Sequence, residues 1–245
     1  MAEGIIVKKS DDLLEITLNN PERGNGLSDE QIVFLGDTIE KEHEQVRLIV
    51  LRANGEDFCT GRAGMGTRPA TRPEALALRR MSDIVFRCYG MVRSSKAPVL
   101  TVVQGKAFGF GCALACVSDI TIAAEEASFA IPEFSHNIMP TMVMSSLVDR
   151  VPLKSLMYLV WTSKVISAHE AQRIGAVSDV VPKADLEKTA NALITRLMNG
   201  PRPAVLAVKE YAHGAMTIDT AKAVDFARNI HSLINSSSEM QVAKK

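Results

Sequence analysis

The sequence has no excess of charge of either sign, because 28 lysines and arginines balance 28 aspartates and glutamates. Nucleic acids and anionic membranes attract proteins through a surplus of positive charge. The composition therefore gives no reason to expect nucleic acid or a membrane as a partner.

Cysteine is scarce, and the four cysteines do not have the paired spacing that is typical of metal ligands. Cys112 and Cys116 are separated by one helical turn and lie beside a group of glycines. We interpret the cysteines as reduced, buried small residues. A nucleophilic thiol at Cys59 or Cys112 is the alternative, although no histidine is adjacent to either in the sequence.

A long uninterrupted apolar run is also missing. The N-terminus has no basic segment followed by an apolar one, which predicts no secretory signal and favours the cytoplasm. The most apolar stretch, residues 97–117, is interrupted by Pro98, Gln104, Lys106 and glycines, so it predicts a core element rather than a membrane span. With 47% hydrophobic residues among 245, the chain can bury one substantial α/β core.

Strand and helix patterns alternate along most of the chain. Ser28 with Gln31, and Ser167 with Glu170, are typical of capping boxes that begin helices. The succession of patterns predicts repeated ββα units around a central sheet. The predicted strands are 5–9 and 13–19 as a hairpin, then 48–52, 99–103, 120–123, 128–131 and 177–181. The predicted helices are one from Ser28, then 74–92, 141–150, 153–161, 168–174, 186–198, 204–213 and 217–234.

Helical periodicity dominates after residue 182. We therefore predict an α/β core at residues 1–182 and a helical C-terminal region at residues 183–245. The last residues, 236–245, are expected to be frayed.

Residues 103–119 are the most informative stretch, since an apolar strand runs through a glycine turn into a helix of small residues. Gly105, Gly109 and Gly111 allow tight bending and close approach of a ligand. The first N–H groups of a helix have no intrahelical partner and can hold developing negative charge. The pattern predicts an oxyanion site. A strand-to-helix corner whose glycines serve only packing is the alternative.

This stretch, Q-G-K-A-F-G-F-G-C-A-L-A and then S-D-I-T-I-A-A, resembles the oxyanion-hole segment of the crotonase (enoyl-CoA hydratase/isomerase) superfamily. Other segments match the superfamily in the same order. They are N-N-P-E-R-G-N-G-L-S at 19–28, D-F-C-T-G-R-A at 57–63, A-S-F-A-I-P-E at 127–133 with I-M-P at 138–140, and more weakly 167–182. The resemblance implies a crotonase-like spiral of repeated ββα units with a helical C-terminal region, an α/β fold.

Glu133 is the candidate acid/base. It follows Pro132 at the end of an apolar strand, where burial would raise its pKa towards the range of a proton shuttle. The residues alone favour the alternative, a glutamate in the first turn of a helix that the helix dipole stabilises. The resemblance assigns Glu133 to the catalytic glutamate of the family.

The resemblance also implies that the backbone N–H groups of Arg62 and Phe110 bind the thioester carbonyl of an acyl-CoA and stabilise an enolate. Each such donor contributes roughly 3 to 4 kcal/mol. Ala113 occupies the position of a second glutamate that the hydratases of the family carry. A single glutamate favours double-bond isomerisation over hydration, since one carboxylate can take a proton from C2 and return it at C4.

Further substrate contacts follow from the resemblance. They are Arg23, Gly24, Gly26, Cys59, Gly61, Ala63, Gly64, Met65, Gly109, Ala113, His136, Met139 and Thr141. Phe110 and Thr141 replace glycines of the family pattern and are expected to narrow the acyl pocket. His136 is either a second acid/base or a structural histidine in a turn. Arg62, Arg68 and Arg72 either bind phosphates of coenzyme A or belong to a solvated loop.

The sequence thus predicts an enoyl-CoA hydratase/isomerase-type enzyme that needs no cofactor beyond the coenzyme A of its substrate, and no metal. Alternatives within the family are a hydratase, or a lyase or decarboxylase of aryl or branched acyl-CoA. A non-catalytic acyl-CoA-binding subunit is the alternative of a different class. The resemblance implies a homotrimer or a dimer of trimers, assembled through the C-terminal helices.

Overall fold

The computed structural model describes residues 2–64 and 73–241. Within these residues, helices surround two β-sheets. The strands are β1 (Ile5–Ser10), β2 (Leu13–Leu18), β3 (Leu48–Ala53), β4 (Val99–Val103), β5 (Lys106–Phe108), β6 (Ile120–Ala124), β7 (Ser128–Ala130), β8 (Ile166–Ser167) and β9 (Asp179–Val181). The α-helices are α1 (Asp29–Glu42), α2 (Ala75–Ser94), α3 (Phe110–Val117), α4 (Thr141–Leu147), α5 (Leu153–Thr162), α6 (Ala168–Arg173), α7 (Lys183–Met198), α8 (Arg202–Ala215) and α9 (Thr220–Asn235).

The larger sheet has the strand order β1-β2-β3-β4-β6-β9. The first two strands form the predicted antiparallel hairpin, and the remaining neighbours are parallel. Parallel neighbours require crossover connections, which α1 supplies between β2 and β3 and α2 supplies between β3 and β4. The predicted α/β class is confirmed.

The smaller sheet has the order β5-β7-β8. Strands β4 and β6 are neighbours in the larger sheet, while the strands that follow them, β5 and β7, are neighbours in the smaller one. The chain therefore passes from one sheet to the other in two successive units, each followed by a helical turn. This is the predicted ββα repetition, and it brings the segments after β5 and β7 together.

Both predicted capping boxes form. Ser28 accepts a hydrogen bond from the Gln31 amide at 3.3 Å, and the Gln31 side chain accepts one from the Ser28 amide at 2.8 Å. Ser167 and Glu170 make the same reciprocal pair at the start of α6. These bonds satisfy N–H groups that a helix leaves without partners, so they determine where each helix begins.

The central strands of the larger sheet, β3, β4 and β6, are buried on both faces. Leu48 and Val50 of β3 pack with Leu186 and Ile194 of α7 in one apolar cluster. The alternate residues of β3 lie in the main core on the other face. Helix α7 therefore covers the sheet as part of the α/β core, whereas the sequence-based division at residue 182 assigned it to a separate helical region. Helices α8 and α9 follow as a pair that packs together.

Several boundaries differ from the sequence-based ones. The last helix begins at Thr220 because Asp219 caps it, accepting from the Lys222 amide at 3.0 Å. Helix α4 ends at Leu147, before the predicted end at residue 150. Part of the segment expected to fray, Ser238–Met240, is a 3-10 turn. Within the described residues, no helix combines the length and the apolar content of a membrane-spanning segment.

Candidate active site

A sharp turn at Gly109 begins the site. Its φ of 51° and ψ of −114° direct the chain from β5 into α3. The Gly109 amide donates to Ala130 at 2.9 Å, and its carbonyl accepts from Ala113 at 3.0 Å. Phe110 is the first residue of α3, so its N–H has no intrahelical partner. The turn thus presents the N–H groups at the start of a buried helix.

A second backbone segment lies against this turn. Leu27 donates to the Gly61 carbonyl at 3.0 Å and accepts from Ala63 at 2.7 Å. In such a parallel bridge, the N–H of the intervening residue, Arg62, points away from Leu27. The Cα of Gly61 lies 4.0 Å from the position that a Cβ on Gly109 would occupy. The amides of Arg62 and Phe110 therefore follow two glycines whose backbones are adjacent.

Glu133 begins a 3-10 turn, Glu133–His136, directly after Pro132. The Glu133 carbonyl accepts a hydrogen bond from Ile138 at 2.9 Å, which holds the backbone in place. The side chain is only 2% exposed. Among the described residues, neither carboxylate oxygen has a hydrogen-bond partner. Burial raises the pKa of the Glu133 carboxyl above its ordinary value of 4.5, because it disfavours the charged form.

A small cavity of about 20 Å³ lies beside Glu133. Its lining residues are Arg62, Val85, Tyr89, Phe110, Glu133, Met139, Met142 and Val143. The structure thus brings together the three residues that were predicted to carry the chemistry, together with Met139. A cavity of this size holds about one water molecule.

A much larger open groove of about 720 Å³ lies on the other side of Arg62. Four predicted substrate contacts line it, namely Arg23, Gly26, Gly61 and Ala63, together with the predicted oxyanion donor Arg62. Arg62 lines both spaces, so the groove and the cavity meet at this residue.

The guanidinium of Arg62 is held by Asp29, the first residue of α1. Its Nε donates to Oδ1 at 2.6 Å and its Nη2 donates to Oδ2 at 2.7 Å. The sequence predicted that this side chain could bind a phosphate, but the structure pairs it with a carboxylate of the same chain. Arg68 and Arg72, the other arginines of that prediction, lie outside the described residues.

Other predicted contacts lie away from the cavity. His136 and Thr141 are exposed and line neither space, so the His136 side chain does not contribute to the wall of the cavity beside Glu133. Gly24 also lies outside both lining sets, and its carbonyl accepts from the Thr60 amide at 2.9 Å. Gly64 is exposed. Met65 lies outside the described residues.

Cys59 and Ala113 are fully buried next to the turn. Burial raises the pKa of the Cys59 thiol to about 12, and the sulfur lies 3.7 Å from the Gly61 carbonyl oxygen. A protonated, enclosed thiol is a poor nucleophile, which supports the packing interpretation. The side chain of Ala113 has no polar atom at the position where the hydratases of the resembled family carry a second glutamate.

Sequence reasoning missed two polar residues of this region. Tyr89 lies on the buried face of α2, and its place in the apolar period of that helix could have indicated an inward orientation. Asn25 is buried with a φ of 55°. Its side-chain amide donates to the carbonyls of Asn54 at 2.8 Å and Asp57 at 2.7 Å, which ties the loop before α1 to the segment that carries Gly61.

Comparison with known proteins gives relatives of similar length. The chain is 29% identical over 229 residues to crotonyl-CoA hydratase of Syntrophomonas wolfei, a match that covers 91% of this chain and 86% of that relative. It is 30% identical over 218 residues to carnitinyl-CoA dehydratase of Salmonella heidelberg, covering 86% of this chain and 80% of that relative.

The fold is shared with solved structures. The crystal structure of an enoyl-CoA hydratase of Mycobacterium smegmatis matches with a TM-score of 0.89 at 23% identity, covering 97% of this chain and 93% of that one. The family model described as enoyl-CoA hydratase/isomerase matches residues 8–244. This chain therefore belongs to the enoyl-CoA hydratase/isomerase family.

Proposed function

We propose that this chain acts on an enoyl-CoA thioester through an enolate, with Glu133 as the acid/base, and that it moves a double bond from C3–C4 to C2–C3. One observation carries the proposal. A buried carboxylate that has no hydrogen-bond partner among the described residues faces a cavity that Arg62 and Phe110 also line. Membership of the family supplies the acyl-CoA substrate class.

The backbone N–H groups of Arg62 and Phe110 bind the thioester carbonyl oxygen in this proposal. Both follow glycines whose backbones are adjacent, and neither is taken up by the bridge to Leu27 or by α3. Negative charge that develops on the oxygen is stabilised by roughly 3 to 4 kcal/mol for each donor. Because the donors are backbone groups, they do not depend on the side chains at these positions.

Glu133 then moves one proton. Its carboxylate removes a proton from C2, and the electron pair passes to the carbonyl oxygen as an enolate. The carboxylic acid returns the proton at C4, and the double bond ends between C2 and C3. A carboxyl group whose pKa is raised by burial is suited to both halves of this exchange. Ala113 contributes no second carboxylate, and this shuttle needs none.

In this proposal the groove and the cavity bind different parts of the substrate. The groove of about 720 Å³ takes part of the coenzyme A moiety, and Arg23 at its wall is available to the phosphates. The acyl end reaches Glu133 past Met139 and Met142, whose unbranched side chains can move aside. Met139 is 69% exposed, so little packing opposes its movement. No cofactor takes part in this scheme.

Addition of water across a 2-enoyl-CoA is the second candidate reaction. The names of two relatives favour it, since one is a crotonyl-CoA hydratase and the other a carnitinyl-CoA dehydratase. Lyase or decarboxylase chemistry on aryl or branched acyl groups, and binding without catalysis, have no such support. All four enzymatic reactions would use the same enolate, so the product identifies the reaction.

We also propose that the protein forms a trimer through α8 and α9. No side chain of α9 is buried, and several apolar side chains of the two helices and of the segment between them are exposed. They are Val208, Met216, Ile218, Val224 and Leu233. Contact with a second copy would remove these surfaces from water.

Turnover of a CoA-ester panel tests the function. The panel holds 2-enoyl, 3-enoyl, aryl-propenoyl and malonyl-type esters, and product masses distinguish the reactions. Isomerisation predicts a mass-neutral change of the 3-enoyl ester that Glu133→Gln abolishes and the control Glu125→Gln, an exposed carboxylate, leaves intact. Equal turnover by wild type and Glu133→Gln would refute the proposed role of Glu133. Tight binding without turnover of any ester would instead indicate a non-catalytic subunit.

A further inference from the structure

The cavity beside Glu133 is enclosed mainly by aliphatic and aromatic residues. Apart from Arg62 and Glu133, its lining residues are Val85, Tyr89, Phe110, Met139, Met142 and Val143. The surface that is accessible inside the cavity is apolar. A polar substituent on an acyl group would gain no hydrogen bond from this surface, and burying it there would be unfavourable. The cavity therefore suits a hydrocarbon group.

One part of the wall, contributed by α2 and α3, is tightly packed. Val85 and Tyr89 are four residues apart on the buried face of α2, and Phe110 is the first residue of α3. Their exposed fractions are only 2 to 3%. The ring of Phe110 packs against that of Tyr89, with 5.1 Å between centroids. Because a densely packed interior leaves such side chains little room to move, this part of the wall is fixed.

The part of the wall contributed by the segment before α4 is less constrained. Met139 is 69% exposed and Met142 is partly buried, and both side chains are flexible. An acyl group can enter past them, as proposed above, and then meets the fixed wall of α2 and α3. Thr141, which was also expected to narrow the acyl pocket, does not line the cavity. Phe110 is therefore the residue of that expectation that limits this space.

The volume inside the fixed wall is small. The cavity of about 20 Å³ compares with the 10 to 15 Å³ that one water requires, and a methylene group is of similar size. In the proposed reaction, C2 and C4 of the acyl group both lie beside Glu133. Roughly one further carbon group fits beyond them before the chain meets Phe110 and Tyr89.

We propose that Phe110 is a specificity-determining residue, whose ring closes the acyl pocket against Tyr89 and restricts this chain to short hydrocarbon acyl groups of about four carbons. The inference rests on the proposed function and names the substrate class of the same site. A longer chain must displace buried side chains, which is unfavourable. Each methylene beyond a pocket of fixed size lowers kcat/KM by about 10- to 200-fold.

A series of 3-enoyl-CoA esters of increasing length tests this restriction. From 3-butenoyl- to 3-hexenoyl- to 3-octenoyl-CoA, kcat/KM of wild type should fall by at least about tenfold at each step. Phe110→Ala should raise the ratio of kcat/KM for the octenoyl over the butenoyl ester by at least about tenfold. The ratio is compared because the Phe110 N–H belongs to the proposed oxyanion site. Phe86→Ala, at an exposed position of the same helix as Tyr89, is the control and should leave the ratio within about twofold.

Val85→Ala enlarges the same wall without changing a group that takes part in the proposed reaction. It should raise the octenoyl-to-butenoyl ratio in the same direction, and it provides the test if Phe110→Ala does not fold. Equal kcat/KM of wild type for the octenoyl and butenoyl esters would overturn the proposal. A ratio that Met139→Ala raises, and that neither Phe110→Ala nor Val85→Ala raises, would also overturn it, because the chain would then lie along Met139.

Binding measurements separate this inference from the proposed function. Calorimetry with butanoyl-, hexanoyl- and octanoyl-CoA should show that the affinity of wild type falls with chain length and that Phe110→Ala removes this trend, whether or not any ester is turned over. An affinity of wild type that does not fall with chain length contradicts the closed pocket. Retained isomerisation by Glu133→Gln would instead refute the proposed function, and the binding series would still decide the role of Phe110.

Discussion

A Cβ atom on Gly109 would lie 2.8 Å from Oε1 of Glu133, which is closer than real Cβ atoms approach such a neighbour. Gly109 also has a φ of 51°, in the region that other residues rarely adopt. The absence of a side chain at Gly109 therefore serves two purposes. It permits the turn that begins α3, and it leaves room for the carboxylate beside the Phe110 amide.

Gly109→Ala should impair both stability and catalysis. The strained backbone costs about 1 to 3 kcal/mol of unfolding free energy. Displacement of Glu133 should lower turnover by more than about tenfold. Gly90→Ala is the matched control, because a Cβ there meets nothing within 4 Å and Gly90 lies inside α2. The control should gain about 0.5 to 1 kcal/mol. Urea unfolding and turnover measure both effects, and equal behaviour of the two variants would contradict the argument.

Glu133→Gln should lower turnover by about 100- to 10,000-fold, since it removes a general acid/base and keeps the shape of the side chain. The affinity for a CoA ester, measured by calorimetry, should change little, because the groove proposed to bind coenzyme A does not include Glu133. A large loss of affinity with an unchanged catalytic rate would assign Glu133 to binding instead of proton transfer.

The pH dependence should report the raised pKa of Glu133. As the base, Glu133 must be ionised, so kcat/KM should rise with pH through a midpoint above the ordinary 4.5. Stability should change in the opposite direction. A raised pKa in the folded state stabilises the protein fully below the unfolded value, and this contribution is lost as pH rises through the folded value. Compared with Glu133→Gln, wild type should therefore lose unfolding free energy from about pH 4.5 upwards. A difference in unfolding free energy between the two proteins that stays constant with pH would contradict the raised pKa of Glu133.

The buried pair of Lys209 and Asp119 ties α8 to the sheet. The two charged groups lie 2.7 Å apart, and Lys209 also donates to Ser95 Oγ at 2.8 Å. Lys209→Met should cost up to about 3 to 5 kcal/mol, because the largely buried Asp119 would lose its ammonium partner and keep only the His213 imidazole at 3.3 Å and the Val99 amide at 2.8 Å. Lys96→Met removes an exposed pair with Glu44 and should leave the free energy of unfolding nearly unchanged, because solvent screens such a pair. Chemical denaturation measures the unfolding free energy of both variants. Similar losses of stability in the two would show that burial of the Lys209–Asp119 pair is unimportant.

Acid should weaken the same contact. A hydrogen bond from His213, then the charge and hydrogen bond of Lys209 and the Val99 amide, outweigh burial and hold the pKa of Asp119 below its ordinary 3.8. The lowered pKa adds stability that is present above the unfolded value and is lost as pH falls through the folded value. Lys209→Met should therefore reduce the dependence of stability on pH in the acid range. If Lys209→Met and wild type lose stability equally as the pH falls, the contribution of this pair to acid stability is contradicted.

The proposed trimer can be tested by sedimentation. Leu233→Glu places a charge on an exposed apolar residue of α9 and should shift the protein towards monomer, because burying an unpaired charge at an interface is unfavourable. Ser232→Glu adds the same charge one residue away, on a different face of the helix, and serves as the control. A wild type that sediments as a monomer would contradict the proposal, as would equal dissociation of both variants.

Local features of this chain were predictable because they depend on near neighbours. The capping boxes at Ser28 and Ser167 form between residues three apart, so their spacing alone identifies them. The hairpin of β1 and β2 is equally local. The location of Glu133 and of the glycine turn also came from the sequence, through the ordered motifs that resemble the family.

The sequence by itself determined the fold class, the family and the segments that build the site, since each is written in short motifs and in apolar periodicity. The tertiary structure alone decided which side chains face one another. Packing brought Tyr89 of α2 to the cavity of Glu133, paired Arg62 with Asp29 and left His136 exposed. These relationships join residues on different elements, and their distances depend on how whole helices and sheets pack, which no local pattern encodes.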